Sequence, residues 1–508
     1  MQDLIQPGIQ KISIPAEPTT DYFLKDIFYE NTAADYQKAM LSAIQVTEKF
    51  LENTKKPFSG ISPPSLGELF GKVDFDKPLK NYRQLEEEIN RLYVDHATAF
   101  HLPKYIAHLN CPVVIPALWA EVLISAINSS QDTWDQSAGG TLMERKLIDW
   151  TAEQIGYNYS ADGVFTAGGS QSNLMGLLLA RDNYANTHLR HNIKINGNPK
   201  EASKFRIFVS DKSHFSNQKN ASLMGLGEQA LVRIPTDPRF RMQVSALNHA
   251  IEKEMEFGNI PIAIVATAAT TDFGNVDPLY EIGNIAHKYN LWLHVDAAYG
   301  CGLLLSDRYR HLLNGIEFSD SVTIDYHKSF FQPISSSAII VRNKCSLDII
   351  RHHADYLNPQ EQDYEEHPAQ INKTITQSTR RFDALKLWCT LRLMGREKLG
   401  SYIDKVIETT EQAAQVIESD PEFELLCHSD FSVLVFRYVP ENISPEKVCD
   451  LNQKIKKTLF NSGEVLLACT KVNGKFYLKF TILNPITSMN DIREILESIR
   501  NHANKRNV

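Results

Sequence analysis

Ile262-Ala-Ile-Val-Ala-Thr267, a helical pattern over Leu279 to Tyr289, and then Leu291-Trp-Leu-His-Val295 form the stretch that decides the fold. Two short β-branched runs separated by an amphipathic helix read as strand, helix, strand. Further runs of the same kind lie outward at Phe205-Arg-Ile-Phe-Val209, Ser321-Val-Thr-Ile324 and Ala338-Ile-Ile-Val341, and Ser213 to Met224 is another helical pattern. Such alternation predicts an α/β domain built on a mixed, mostly parallel sheet with helices on both faces. Ligands of such sheets sit at the carboxyl ends of the strands. The residues just after each strand therefore carry the functional reading.

The flanks read differently. Residues 1–100 are expected to be helical, with apolar residues at helical spacing over Tyr36 to Asn53 and Tyr82 to Phe100; Lys56 to Pro64, with Pro57, Gly60, Pro63 and Pro64, reads as a loop. Beyond Arg380, helical stretches over Arg381 to Met394 and Leu399 to Glu418 precede strand candidates at Ser432 to Tyr438 and Phe476 to Ile482. The expected division is thus a helical segment over 1–100, a large domain over 101–380 and a small α+β domain over 381–508.

Composition excludes several classes. The chain has 508 residues, 43% hydrophobic and 22% charged, which is ordinary for a globular protein. Its net charge of −8 comes with no basic stripe, which argues against a nucleic-acid partner. The N-terminus lacks a basic region followed by an apolar one, and the most apolar stretch, Pro112 to Ile127, is too short to span a bilayer and carries Glu121. A cytoplasmic protein with no membrane partner is expected. Seven scattered cysteines without a C-x-x-C pair argue against a disulfide framework and are expected to be buried small hydrophobes. No histidine or cysteine grouping has a metal-ligand spacing, so no metal is expected.

Four features fall at strand ends or helix starts. Thr166-Ala-Gly-Gly-Ser-Gln-Ser-Asn173 precedes an apolar helix; glycines let backbone approach a ligand, and a helix N-terminus presents free N–H groups to a phosphate. Ser213-His214-Phe-Ser216 places an imidazole where it can stack on an aromatic ring. His294-Val-Asp296-Ala-Ala-Tyr-Gly300 puts a carboxylate in a mostly apolar stretch, where burial is costly without a partner. Ile324-Asp-Tyr-His-Lys328-Ser-Phe-Phe331 sets a lysine between an apolar strand and two phenylalanines, where desolvation is expected to lower the amine's pKa and free it for Schiff-base chemistry. Each feature has an ordinary reading: a capped turn, a core histidine, a capping carboxylate, a surface lysine. Together they follow the order phosphate cradle, stacking ring, ring-nitrogen carboxylate, Schiff-base amine.

In these residues the chain resembles the pyridoxal-5′-phosphate (PLP) dependent group II amino-acid decarboxylases. The resemblance runs from about Tyr105 to the C-terminus and is most specific at His294-Val-Asp296-Ala-Ala-Tyr299 and His327-Lys328, with support from Thr267-Ala-Ala-Thr-Thr271 and Gly169-Ser-Gln-Ser-Asn173. Within the group it is greatest with bacterial L-2,4-diaminobutyrate decarboxylases and with lysine decarboxylases of siderophore pathways, through segments such as Thr133-Trp-Asp-Gln-Ser137 and Thr379-Arg-Arg-Phe-Asp-Ala-Leu-Lys-Leu-Trp388.

The resemblance implies a fold-type I PLP-dependent transferase-like arrangement, assembled as a homodimer with interfacial active sites, with residues 1–100 in dimerisation. Lys328 would hold PLP as a Schiff base, Asp296 would pair with the pyridine N–H, and His214 would stack on the ring near the departing carboxylate. Gly169, Ser170 and Gln171 would contact the phosphate, with His327 and Asp325 nearby, and Thr271 and Ala298 would pack against the cofactor. Many members carry a proton-donating tyrosine in a loop upstream of Arg380-Arg381; here Tyr364 is the only tyrosine of that stretch, and a gapless comparison puts Ile371 at its position.

For the substrate, His108 and Asp132 fall at positions that line the pocket of aromatic amino-acid decarboxylases, Asp132 from the neighbouring subunit. An aspartate there suits a distal ammonium, so the expected substrate is L-2,4-diaminobutyrate, giving 1,3-diaminopropane for a siderophore or polyamine. Lysine or ornithine, then glutamate or aromatic amino acids, are the alternatives. Outside the class stand a PLP aminotransferase or desulfinase and a non-catalytic PLP-binding relative.

Overall fold

The computed structural model describes residues 24–361, 368 and 370–504. The described residues divide into two compact units, one within 24–55 and 61–97, the other within 56–60 and 98–504.

The described residues of the first unit hold three α-helices, Ala33–Asn53, Pro63–Phe70 and Tyr82–Leu92. Pro63 and Pro64 start a helix rather than extend a loop: proline is tolerated in the first turn, and the Ser62 side chain caps it by accepting from the Ser65 N–H. The third helix stops at Leu92, short of the expected Phe100, and a 3₁₀ turn over Val94–His96 follows. The long helix Ala33–Asn53 buries none of its residues, and Leu41, Ile44 and Leu51 are all more than half exposed.

Among the described residues the second unit holds twelve strands: β1 Tyr105–Ile106, β2 Asp162–Thr166, β3 Phe205–Ser210, β4 Leu231–Ile234, β5 Ile260–Thr267, β6 Trp292–Ala297, β7 Ser321–Asp325, β8 Ser337–Val341, β9 Phe423–Cys427, β10 Val433–Tyr438, β11 Leu466–Val472 and β12 Lys475–Thr481. Seven form a sheet in the order β2-β8-β7-β6-β5-β3-β4, parallel except for β8, which runs against both neighbours. Alternate residues of a strand face opposite sides of the sheet. Phe208, Ile264 and Ile340 accordingly join one apolar cluster, with helices Gly139–Ile155 and Leu279–Lys288, while Ile207, Val265 and Ile339 join another, with helix Gly169–His188. Burial on both faces is why these strands read as continuous apolar runs.

The second sheet, ordered β1-β11-β12-β10-β9, packs its own core of Ile417, Phe436, Leu459, Phe480 and Ile495. A helical stretch over Ala384–Ser419 leads into it, broken at Gly395 (φ 74°), which is why the pattern reads as two helices. Its β12 reaches the large sheet's loops: Lys479 Nζ is 2.8 Å from Asp272 Oδ1 and donates to the Thr271 carbonyl at 3.3 Å. All seven cysteines are free; only Cys111, Cys301 and Cys389 are buried, and Cys345 is exposed, so the expectation that they are buried small hydrophobes fails for the other four. Among the described residues no helix is long and apolar enough to cross a membrane, and no group of three or more histidine, cysteine, aspartate or glutamate side chains has the geometry to hold a metal ion.

The carboxyl end of β5 is pinned by Asp277. Its buried carboxylate accepts the N–H of Thr267 at 2.8 Å and of Met242 at 2.7 Å. Burial pushes its pKa up to about 6, against the pull of those two donors. Between about pH 4 and 6 the folded chain then holds a proton that the unfolded chain, with its ordinary carboxyl, releases, so this group's contribution to stability falls as pH rises through that window. Asp277→Asn presents an amide donor to one of two backbone donors, and it is expected to cost about 1–3 kcal/mol and to remove that pH component; denaturant titrations at pH 4.5 and 7 check both effects.

Candidate active site

Parallel register brings the chemistry to one edge. Thr267 of β5 pairs with Asp296 of β6, and Asp296 with Thr323 of β7, so three adjacent strands end side by side. The turn after β2 and the start of the antiparallel β8 reach the same edge. A cavity of about 530 Å³ opens there. Into it the structure brings together Lys328, Asp296, His214, Gly169, Ser170, Gln171, Thr271, Ala298, Asp325 and His327. Asn173, Thr267, Ala269 and Tyr299 also line it, though sequence reasoning assigned them no role.

Lys328 sits in a single helical turn, Tyr326–Ser329, directly after β7. Burial works to lower its pKa, but Asp325, three residues back with Oδ2 at 2.8 Å from Nζ, outweighs that and holds the ammonium above its ordinary value. The expectation of a pKa lowered by desolvation is therefore corrected: Asp325, with Asp296 and Cys301 adding to it, favours the ammonium more than burial disfavours it. Asp325 Oδ1 accepts from the Ser337 hydroxyl at 2.6 Å, so its orientation is set from β8. The backbone under this turn is held as well, since Cys111 Sγ lies 2.9 Å from the Lys328 carbonyl.

Asp296 is buried with both oxygens engaged. Oδ1 accepts the Ala298 N–H at 3.1 Å, and Oδ2 accepts from Asn173 Nδ2 at 2.8 Å. His214 Nδ1 bonds the Ser216 hydroxyl at 2.8 Å, and burial lowers its pKa, which favours the neutral ring. His327 donates from Nδ1 to the Ser336 carbonyl at 2.9 Å and is likewise shifted down, by burial first.

The residues fit a phosphorylated heteroaromatic ligand. Helix Gly169–His188 begins at the cavity, and its first N–H groups have no acceptor within the helix, the arrangement that binds phosphate. At Gly168 (φ 156°) a Cβ would meet open space, whereas a Cβ on Gly169 would lie 2.8 Å from Asp325 Oδ2. Only glycine lets that turn pass so close to the lysine's counter-ion. The Thr267 hydroxyl is buried in the cavity wall without a protein partner, as a wall built to meet a polar ligand would leave it. Gln171 is turned another way: its Oε1 accepts the Ala167 N–H at 2.7 Å, and its Nε2 donates to the Thr376 hydroxyl at 2.6 Å.

The remaining expected residues lie elsewhere. His108 is exposed and outside this cavity. Asp132 is also outside it, 3% exposed, with Oδ1 lacking a protein partner. Tyr364 lies outside the described residues. A larger hollow of about 850 Å³ opens at the opposite, amino edge of the same strands, but its Arg342 and Asp320 are paired with each other at 2.5 Å and it holds no lysine.

The "Pyridoxal-dependent decarboxylase conserved domain" matches residues 70–439. The chain is 38% identical over 482 residues to an L-2,4-diaminobutyrate decarboxylase of Acinetobacter baumannii, covering 93% of each chain. It is 36% identical to one of Rhizobium meliloti, covering 91% of each. A crystal structure of the glutamate decarboxylase domain of a diaminobutyrate-pyruvate transaminase and L-2,4-diaminobutyrate decarboxylase from Vibrio parahaemolyticus superposes with a TM-score of 0.87 at 34% identity, over 95% of this chain and 99% of that one. A cavity that gathers a half-buried lysine, a doubly anchored carboxylate and a helix N-terminus agrees with these matches: the chain belongs to the pyridoxal-dependent decarboxylase family, whose cofactor is pyridoxal phosphate.

Proposed function

We propose that this enzyme decarboxylates an L-diamino acid, foremost L-2,4-diaminobutyrate, releasing CO₂ and 1,3-diaminopropane as a building block for a polyamine or siderophore. The observation that carries the reaction class is the shared cavity of the Lys328 amine and the Asp296 carboxylate. The substrate rests on the relatives named L-2,4-diaminobutyrate decarboxylases and on the buried, unpartnered carboxylate oxygen of Asp132.

Bound PLP supplies an electron sink for the pair released when the carboxylate leaves as CO₂. Lys328 Nζ would hold the cofactor, with Asp325 Oδ2 orienting Nζ from 2.8 Å. Asp296, held by Asn173 and Ala298, accepts the pyridine N–H. His214, neutral and tied to Ser216, stacks on the ring and positions the departing carboxylate. The N–H groups of Gly169 and Ser170 bind the phosphate, with Gln171 and His327 beside them. Asp325 repels a phosphate and acts through Lys328. Thr271 and Ala298 line the cavity where the ring would be held. Tyr364 delivers the proton that replaces CO₂.

The enzyme is a cytoplasmic homodimer in this reading, with 1–100 as its dimerisation segment, 101–380 as the PLP-binding domain and 381–508 as the small domain. Ile115 and Trp119, on helix Ile115–Ile127, are 79% and 60% exposed, and the bare face of helix Ala33–Asn53 is a second apolar surface for a partner to cover. Asp132, with His108 near it in the assembled site, meets the substrate's distal ammonium from across the interface.

Lys328→Ala is expected to lose both turnover and the visible absorbance of lysine-bound cofactor; retention of that band reassigns the lysine. Asp296→Ala is expected to keep some PLP while losing at least about 10²-fold in kcat, measured by CO₂ release from enzyme saturated with PLP. Asp132→Asn is expected to lower kcat/KM for L-2,4-diaminobutyrate by about 10²-fold. A CO₂-release panel of L-2,4-diaminobutyrate, ornithine, lysine, glutamate and tyrosine reads this out, and an unchanged order of preference removes Asp132 from substrate selection.

A further inference from the structure

We propose that Asn173 is a positioning residue for the decarboxylation, and that a one-way chain of donors through Trp292, Ser321 and His294 holds it so that its amide N–H is locked onto Asp296. The proposal rests on the reading of Asp296 as the partner of the cofactor's ring nitrogen and concerns what fixes that carboxylate.

Each link has a direction. Trp292 Nε1, which can only donate, reaches the Ser321 hydroxyl at 2.9 Å. The Ser321 proton is then free for His294 Nδ1 at 2.8 Å, which leaves His294 Nε2 to donate to Asn173 Oδ1 at 3.0 Å. The Thr323 hydroxyl donates to the same Oδ1 at 2.7 Å. With two donors on Oδ1, the amide of Asn173 has one orientation, and its Nδ2 donates to Asp296 Oδ2 at 2.8 Å and to the Ser216 hydroxyl at 3.0 Å. Asp296 Oδ2 can only accept, so a reversed Asn173 amide, or a His294 ring protonated at Nδ1 instead of Nε2, would set acceptor against acceptor at Asp296 Oδ2 or at Asn173 Oδ1. Aligned bonds of this kind strengthen one another in a dry interior. Asn173 and His294 are 1% and 0% exposed, and burial drives the His294 pKa down to about 4, which agrees with a neutral ring that can accept at one nitrogen and donate at the other.

A separate feature shows that the sequence accommodates this ring. Helix Gly169–His188 crosses His294 at Gly176, where a Cβ would come within 2.4 Å of Nδ1. The helix that carries Asn173 can therefore lie on the histidine only with glycine at that point. Ser216, which takes the second Asn173 proton, also bonds His214 Nδ1 at 2.8 Å. The stacking histidine and the ring-nitrogen carboxylate are thus both aligned from one amide.

The test uses holoenzyme reconstituted with PLP labelled with ¹⁵N in the ring, and reads the ring-nitrogen chemical shift without substrate, then kcat and KM. Asn173→Ala is expected to keep its cofactor, to move the nitrogen signal from the protonated toward the unprotonated value, and to lose about 10- to 100-fold in kcat with KM little changed. His294→Gln, whose amide can stand in for Nε2, should retain the wild-type signal and most of kcat; His294→Phe, of similar bulk without a donor, should lose both. If Asn173→Ala does not fold, the His294 pair decides alone. A wild-type nitrogen signal and kcat in Asn173→Ala or His294→Phe would overturn the proposal, as would losses no larger than the cofactor lost. A protonated ring signal in wild-type enzyme that releases no CO₂ would instead fault the proposed reaction and leave the positioning intact.

Discussion

The register of three parallel strands is the constraint on which the site depends. Thr267, Asp296 and Thr323 lie opposite one another on β5, β6 and β7, and neighbouring strands are about 4.8 Å apart. A one-residue slip of β6 would turn Asp296 to the other face of the sheet and put Val295 or Ala297 in its place. The apolar residues of β6 therefore fix the position of the Asp296 carboxylate. Lys328 comes off the end of β7 within a single turn, so the same register sets how far its amine lies from that carboxylate.

Burying that much charge requires each group to be answered. Lys328 is met by Asp325, Asp296 by two N–H donors, and His294 by a serine on one side and an asparagine on the other. The same holds behind the site. Arg380, 5% exposed, lies 3.1 Å from Glu144 and donates to the carbonyls of Phe165 and Gln131, tying the residue before the catalytic-edge turn to the segment that carries Asp132. Breaking one member of such a set leaves the other buried and unpaired, the costly case.

Much of this was legible from residue order. Apolar runs around Val265, Val295 and Ile324 marked buried strands, and strand-end residues pointed to the edge where the cavity opens. Direction was not legible: β8 reads like its parallel neighbours because an apolar run carries no sign. The short β2, β4 and β9, with partly exposed residues, made too weak a pattern to stand out. Pro63 and Pro64 looked like a loop because proline's place in a helix's first turn depends on the cap before it. At the site, the lysine and the aspartate stood out by chemistry and placement. The sign of the lysine's pKa shift did not, because it depends on how a single turn after the strand folds Asp325 back onto Lys328. In the sequence Asn173 is only the end of a glycine-serine loop, and its link to His294 spans 121 residues. The one local signal was Gly176, a glycine inside an otherwise apolar helix, which marks a close approach without naming what approaches.

The central claim is that Lys328 and Asp296 serve one bound cofactor from opposite ends. Borohydride reduction of the PLP-loaded enzyme, followed by proteolysis and mass spectrometry, tests it most directly. The account predicts a phosphopyridoxyl group on Lys328 and on no other lysine in wild-type enzyme. A label on a different lysine, or a loaded enzyme that takes up none, would contradict it.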